Sequence, residues 1–174
     1  ITGNLDREGG SMFTTPAFDT LPLGIKGNVG RWHTRVRQLP EFAGELPSAA
    51  LAEEILTPGE GQIRGLITSA GNPVLSTPNG QQLDRALAGL EFMLSIDFYL
   101  NETTRHAHLI LPPSSPLEHD HYDVLFHNLA IRNTAKYSPA LFEIDQTARH
   151  DWQIFGELTQ RMSEKEGRIF PPKA

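Results

Sequence analysis

Histidine and carboxylate side chains are concentrated in one part of this sequence. Of its seven histidines, five fall within 22 positions, in the stretches HAH (106–108) and EHDHYDVLFH (118–127). Such side chains are ligands for zinc and iron, so a metal-dependent hydrolase is one interpretation of the pattern. The sequence contains neither His-Glu-x-x-His nor His-x-His-x-Asp-His, and Ser114 and Ser115 lack a surrounding Gly-x-Ser-x-Gly. A familiar zinc motif and a serine nucleophile are therefore not indicated.

Two polar turns follow apolar runs and offer groups that could hold a ligand. Gly71-Asn72-Pro73 combines a permissive backbone, an amide that donates and accepts, and a residue that fixes the exit direction. An ordinary turn explains this tripeptide equally well, and no Gly-x-Gly-x-x-Gly supports a dinucleotide fingerprint. Asp97 lies 25 positions after Asn72. Its carboxylate is placed either to hold ribose hydroxyls or a guanine edge, or simply to cap the following turn.

The elements that position these groups alternate between helical and extended patterns. Apolar spacing, prolines and caps predict helices at 47–56, 79–90 and 149–162, a helical turn at 100–106, strands at 62–69, 91–97 and 106–113, and an edge strand at 128–137. Strands alternating with helices imply right-handed crossovers and a mostly parallel sheet, that is, an α/β fold in three layers. Ligands of such sheets lie beyond the carboxyl ends of the strands. We therefore expect the chemistry at 70–73, 96–99 and 112–123.

Composition excludes several classes of protein. The sequence is 39% hydrophobic and 21% charged, with a net charge of −6, which argues against a nucleic-acid partner. No apolar run approaches the roughly 18 residues of a membrane span, and no export signal is visible, so we expect a cytoplasmic protein without a span. The absence of cysteine excludes disulfides, thiolate metal ligands and cysteine-bound iron–sulfur clusters from this sequence.

The first 44 residues are rich in glycine and proline and predict an irregular segment. They also carry apolar residues that a free linker would not need, and we expect the segment to pack on a neighbouring domain: Phe13, Phe18, Leu21, Leu23 and Ile25. Residues 45–174 are expected to form the α/β half-domain. The sequence does not begin with methionine, and we expect it to be an internal piece of a larger subunit.

Several segments together resemble one enzyme family. They are TGNLDREGG (2–10), the GNP turn (71–73), SIDFYLNETTRHAHLILPPSSPLEHDHYD (95–123), RNTAKYSPALFE (132–143) and DWQIFGELTQRM (151–162). Their order and spacing resemble the molybdopterin oxidoreductases, which include formate dehydrogenases and periplasmic-type nitrate reductases. At 104–108 the sequence has TRHAH in place of the family's usual Thr, Ala and Asp residues, and it keeps the LILP that follows.

This resemblance implies a Rossmann-like half-domain that embraces part of a bis-(molybdopterin guanine dinucleotide) molybdenum cofactor. Carried over position by position, it implies cofactor contacts at Asn72 of the turn, at Ile96 and Asp97 of the strand end, at His119 and at Asp151. Asp97 and Asp151 would meet guanine N–H groups or ribose hydroxyls, and His119 a phosphate or ribose oxygen. No catalytic residue and no metal ligand are implied within this sequence.

The resemblance also implies which parts of the parent enzyme lie outside this sequence. A metal ligand and any iron–sulfur cluster would belong to other segments, and the partners of this sequence would be the remaining domains of the parent enzyme. The parent would transfer two electrons between a small substrate, formate- or nitrate-like, and an electron-transfer chain whose partner is unknown. We expect the isolated chain to be inactive and to self-associate. The histidine-based hydrolase and a non-catalytic interaction module remain the alternatives.

Overall fold

The computed structural model describes residues 2–11, 14–18 and 29–166. The chain divides into two compact units, each described here by itself. The larger unit comprises Gly27–Ser114 and Asp145–Ala174, and the smaller unit comprises Ile1–Lys26 and Ser115–Ile144.

An antiparallel hairpin begins the described part of the larger unit. Strand β1 (Val29–His33) pairs with β2 (Pro40–Phe42). The expectation that residues 1–44 lack regular elements is therefore wrong for this stretch. The glycine and proline that suggested irregularity fit the hairpin, because Gly30 has a φ of +72° and Pro40 is the first residue of its strand.

The buried Glu41 carboxylate stabilises this hairpin by hydrogen bonds to its backbone. Glu41 is fully buried and accepts hydrogen bonds from the backbone N–H groups of Arg31 at 2.6 Å, Trp32 at 3.2 Å and Gly44 at 3.0 Å. Burial raises the pKa of Glu41, but the backbone donors, with the nearby charge of Arg31, outweigh it and leave that pKa below its ordinary value. The buried charge is thus stabilised by backbone dipoles.

A parallel sheet forms the centre of the larger unit. Strand β3 (Gly65–Ser69) pairs with β4 (Phe92–Ile96), which pairs with β5 (Leu109–Ile110), all in parallel. The predicted strands at 62–69, 91–97 and 106–113 are confirmed, but each is shorter than expected, and the last has only two residues. Four of the five residues of β4 are buried, which explains the nearly continuous apolar run in the sequence.

Helices cover one face of this sheet. Helix α1 (Leu51–Leu56) follows a 3₁₀ turn, and α2 (Pro73–Ser76) and α3 (Gly80–Leu87) connect β3 to β4. Asn79 begins α3 from a left-handed conformation and its side chain accepts a hydrogen bond from the Gln82 N–H. The core cluster joins α1 and α3 to the sheet and consists of Ala52, Ile55, Leu83, Ala86, Leu87, Leu90 and Met93.

The smaller unit contains two short antiparallel strands. Strand β6 (His121–Tyr122) pairs with β7 (Tyr137–Ser138), and a 3₁₀ turn spans Phe126–Leu129. The predicted edge strand at 128–137 is wrong over most of its length. Asparagine side chains bond to the backbone there: Asn133 accepts from the Thr15 N–H at 2.9 Å, and Asn128 donates to the Leu125 carbonyl at 3.3 Å. Such bonds compete with strand pairing.

Helix α4 (Asp151–Lys165) confirms the helix predicted at 149–162. A capping box stabilises its start, in which the His150 N–H donates to the Gln153 side chain at 2.9 Å. Of the helices within the described residues, none combines the length and the apolar character that crossing a lipid bilayer requires.

The fold class is confirmed as mixed α/β with a parallel sheet. Its Rossmann-like, three-layer character stays a prediction, as do the domains proposed at 1–44 and 45–174. In the structure residues 29–44 belong with the sheet rather than with the segment before them. Phe18 is half-exposed, and the other apolar residues expected to meet a neighbouring domain lie outside the described residues: Phe13, Leu21, Leu23 and Ile25.

Candidate functional site

A cleft of about 270 Å³ opens at the carboxyl ends of β3 and β4. This is the edge at which parallel sheets hold their ligands. Three of the residues implicated by the sequence line it together, namely Asn72, Ile96 and Asp97. The remaining lining residues are Ala70, Gly71, Phe98, Tyr99, Asn101 and Pro113.

Asp97 is the charged group of this cleft. Only 8% of the residue is exposed, and its Oδ1 accepts a hydrogen bond of 2.9 Å from the Tyr99 N–H. Within the described part of the chain no other hydrogen bond reaches this carboxylate. An ionised carboxylate can accept several hydrogen bonds, so Asp97 retains capacity for N–H or O–H donors of a ligand.

Asn72 is engaged on both ends of its side-chain amide. Its Nδ2 donates to Glu102 Oε2 at 2.7 Å, and its Oδ1 accepts from the Thr103 hydroxyl at 2.7 Å. The same Thr103 oxygen accepts from the Val74 N–H at 3.1 Å. The hydrogen bond from Asn72 holds the pKa of Glu102 below its ordinary value. In this structure Asn72 therefore ties the turn after β3 to the loop after β4.

The backbone between Ser69 and Gly71 is strained at the cleft wall. Ala70 has a φ of +47°, in the left-handed region that favours glycine. Its N–H donates to the Ile96 carbonyl at 3.0 Å, which continues the sheet by one bond. Ile96 itself is buried, so it contributes to the cleft by its position at the strand end.

The loop after β4 is fixed at its far end as well. The Asn101 side chain accepts from the N–H groups of Thr103 and Thr104, each at 2.9 Å. His106 and Arg105 both contact the Asp84 carboxylate on α3 at 2.6 Å. These hydrogen bonds from His106 and Arg105 lower the pKa of Asp84. The loop after β4 is thus tied to α3 through Asp84 and to α2 through the hydrogen bond from Val74 to Thr103.

The other two predicted contact residues do not line this cleft. Asp151 is exposed in the first turn of α4, where its side chain accepts from the Trp152 N–H at 2.7 Å. A hydrogen bond of 2.7 Å joins Ser114 to His150, immediately before Asp151. His119 belongs to the smaller unit, and its Nδ1 lies 3.1 Å from the Asp120 carbonyl oxygen. Their roles as cofactor contacts stay predictions.

The described residues contain no group of three or more His, Cys, Asp or Glu side chains arranged to hold a metal ion. His127 uses its ring for local contacts instead: Nδ1 lies 2.7 Å from the Thr134 hydroxyl, and Nε2 accepts from the Lys136 N–H at 3.3 Å. The histidine-based hydrolase gains no support from this part of the chain.

Sequence reasoning missed the roles of two residues that hold Asn72 and of two that line the cleft. Glu102 and Thr103 hold Asn72, and Phe98 and Tyr99 line the cleft beside Asp97. The available signal was the position of two consecutive aromatic residues directly after the aspartate that ends a buried strand.

One family model matches this chain over residues 4–161, and its description is molybdopterin oxidoreductase. The chain belongs to this family. The resemblance inferred from the separate motifs is thereby confirmed, and family membership implies a molybdopterin cofactor.

Three relatives illustrate the range of the family. The assimilatory nitrate reductase catalytic subunit of Bacillus subtilis is 33% identical over 112 residues, which are 64% of this chain and 15% of that protein. A formate dehydrogenase alpha subunit of Methanococcus maripaludis is 26% identical, over 87% of this chain and 20% of that protein. A dimethyl sulfoxide/trimethylamine N-oxide reductase of Cereibacter sphaeroides is 27% identical, over 70% of this chain and 16% of that protein. The chain therefore spans at most one fifth of these relatives.

Proposed function

We propose that this chain is a cofactor-binding segment of a molybdenum oxidoreductase, and that its cleft holds a guanosine end of a bis-(molybdopterin guanine dinucleotide). The parent enzyme transfers two electrons between a small formate- or nitrate-like substrate and an electron-transfer chain. The relatives named nitrate reductase and formate dehydrogenase support this substrate class. The remaining domains of the parent are the partners of this chain, and any iron–sulfur cluster belongs to them.

The observation that carries the proposal is the burial and hydrogen bonding of Asp97. Guanine presents N–H donors that adenine lacks at the same positions, and a carboxylate is a strong acceptor for them. Asp97 is nearly buried at the ligand edge of the sheet, with one oxygen fixed by the Tyr99 N–H. Asp97 lines the cleft, so a guanine edge bound there could donate hydrogen bonds to this carboxylate.

The size of the cleft fits one end of the cofactor. Pockets for drug-sized ligands measure about 300–1,000 Å³, and this cleft measures about 270 Å³. It therefore suits a base with its ribose rather than a whole dinucleotide. The rest of the cofactor would lie against other parts of the parent enzyme.

The residues of this chain bind and orient, and the bound cofactor supplies the two-electron chemistry. Asp97 fixes the base edge, and Asn72 holds the two loops at the spacing that the base requires. Asp151 and His119 are proposed as further contacts to guanine or ribose and to phosphate or ribose oxygens. The isolated chain lacks the metal ligand and is expected to catalyse neither formate oxidation nor nitrate reduction.

The test is nucleotide preference. The chain is titrated with guanosine and adenosine monophosphates by calorimetry, with Asp97→Asn as the variant and Glu60→Gln as the control, because Glu60 is exposed and lies outside the cleft. The wild type and the control should prefer guanosine. Asp97→Asn should lose about tenfold or more of guanosine affinity, since hydrogen bonds to charged groups contribute about 1.5–3 kcal/mol.

Two results would contradict the proposal. If the wild type binds neither nucleotide, the interaction-module alternative is favoured. If Asp97→Asn keeps the preference for guanosine, the base is recognised elsewhere.

A further inference from the structure

We propose that Phe98 and Tyr99 form the base-stacking wall of the cleft, with the Tyr99 ring lying against the face of the purine. This inference rests on the proposed function and extends it to two residues to which the resemblance assigns no role. It assigns affinity to the aromatic pair and base selectivity to Asp97.

Both rings are available to a ligand. Phe98 and Tyr99 line the cleft and are 49% and 68% exposed. Their ring centroids lie 4.7 Å apart with the planes tilted by 57°. The two rings contact each other in this tilted arrangement, and Tyr99, the more exposed of the two, offers the larger surface to a flat partner.

The backbone of Tyr99 is fixed on both sides. Its N–H donates to Asp97 Oδ1 at 2.9 Å, and its carbonyl accepts from the Thr104 hydroxyl at 2.8 Å. Thr104 is fully buried and also accepts from the Asn101 N–H at 2.8 Å. Because the backbone is already ordered, binding a base costs little further conformational entropy at this position.

The hydrogen bond between Tyr99 and Asp97 links the two roles. The residue that carries the ring binds one oxygen of the Asp97 carboxylate through its backbone N–H. A planar base can then stack on the ring while its edge donates to the other oxygen. Stacking does not distinguish between purines, because every base has a π face. The carboxylate does distinguish them, because guanine and adenine present different donors at their edges.

The experiment compares variants at Tyr99, Phe98 and Asp97 with one control variant, all in the full 174-residue chain. Tyr99→Ala removes the ring, Tyr99→Phe keeps the ring and removes the hydroxyl, and Phe142→Ala removes a half-exposed ring of the smaller unit as a control. Guanosine and adenosine monophosphates are titrated against each variant. The chemical shift of the base H8 proton is followed by NMR, because stacking on an aromatic face moves it upfield.

Tyr99→Ala should weaken both nucleotides by a similar factor, on the order of tenfold, and should abolish the upfield H8 shift. Tyr99→Phe and Phe142→Ala should retain wild-type affinity and shift. Phe98→Ala should give a smaller loss, because that ring supports Tyr99. Circular dichroism of each variant establishes that the fold is kept.

The outcomes separate this inference from the proposed function. If Asp97→Asn abolishes guanosine preference while Tyr99→Ala changes neither affinity nor the H8 shift, the stacking wall is overturned and the proposed function stands. If Tyr99→Ala weakens guanosine alone, the ring does not act by stacking, which is common to both purines, and the inference is again overturned. If wild-type chain binds neither nucleotide, both fail.

Discussion

The side chains of Asn72 and Thr103, 31 residues apart, are joined by a hydrogen bond of 2.7 Å across the ligand edge of the sheet. Glu102 accepts from the other end of the same amide at 2.7 Å. The resemblance implied that Asn72 contacts the cofactor. The structure gives its side chain a different immediate task, which is to hold together the two loops that form the cleft.

Substitution at this contact should lower both stability and nucleotide affinity. Asn72→Ala removes two side-chain hydrogen bonds, and we expect the free energy of unfolding to fall by about 1–2 kcal/mol. Urea denaturation measures this change. Thr103→Val should reproduce part of the loss, whereas Thr103→Ser keeps the hydroxyl and should not. Equal stability of the Val and Ser variants would show that the hydroxyl does not matter.

Relieving the strained backbone beside the cleft should stabilise the protein slightly. Ala70 has a φ of +47°, and Ala70→Gly removes the Cβ that makes this conformation costly. The gain is offset in part by the greater freedom of glycine in the unfolded chain, so we expect up to about 1 kcal/mol. Ala88→Gly is the matched control, because Ala88 has a φ of −62°. It should be neutral or destabilising in the same thermal unfolding measurement.

Helix α3 approaches α2 too closely for a side chain at Gly80. A Cβ there would lie 2.0 Å from the Val74 carbonyl oxygen, whereas a Cβ at Gly89 would come no closer than 3.5 Å to its nearest neighbour. Gly80→Ala should therefore cost about 1–3 kcal/mol, the usual cost of overpacking, and should also disturb the contact of α2 with Thr103. Gly89→Ala should be tolerated. A Gly80→Ala variant as stable as wild type in urea would contradict the packing described.

The Asp84 contact makes part of the stability depend on pH. Hydrogen bonds from His106 and Arg105 hold the pKa of Asp84 below its ordinary value of 3.8. A carboxyl whose folded pKa is lowered contributes stability above the unfolded value and loses it as pH falls through the folded value. The difference in unfolding free energy between wild type and Asp84→Asn should thus shrink as the pH falls below 3.8. A difference that grows on acidification would contradict this sign.

One face of the sheet exposes apolar side chains and should promote association. Ile67 and Leu109 flank Leu94 in the register of the parallel strands, and each of the two is 47% exposed. We expect the isolated chain to self-associate and Ile67→Lys to reduce this. Gln81→Lys adds the same charge on the exposed part of α3 as a control. Sedimentation velocity over a concentration series measures the effect, and a strictly monomeric wild type would contradict it.

The sequence predicted the sheet better than it predicted the loops. The apolar runs around Ile67 and Leu94 and the helices between them indicated parallel strands, because a crossover helix returns the chain in the same direction. The edge strand at 128–137 failed because asparagine side chains bond to the backbone there. The β1–β2 hairpin was missed because the buried Glu41 carboxylate stabilises it. A single buried carboxylate produces no periodic pattern of apolar residues in the sequence.

The sequence by itself determined the family, the order of the parallel strands with helices α1 and α3, and the placing of Asn72 and Asp97 at one edge of the sheet. These follow from local periodicity and from motifs whose order is read along the chain. Only the tertiary structure decided that the Asn72 amide is bound by residues 30 and 31 positions away, that the Tyr99 N–H binds one oxygen of the nearly buried Asp97, and that the rings of Phe98 and Tyr99 line the same cleft. Hydrogen bonds form or fail within a few tenths of an ångström, and distances between residues far apart in sequence are fixed only when the chain has packed.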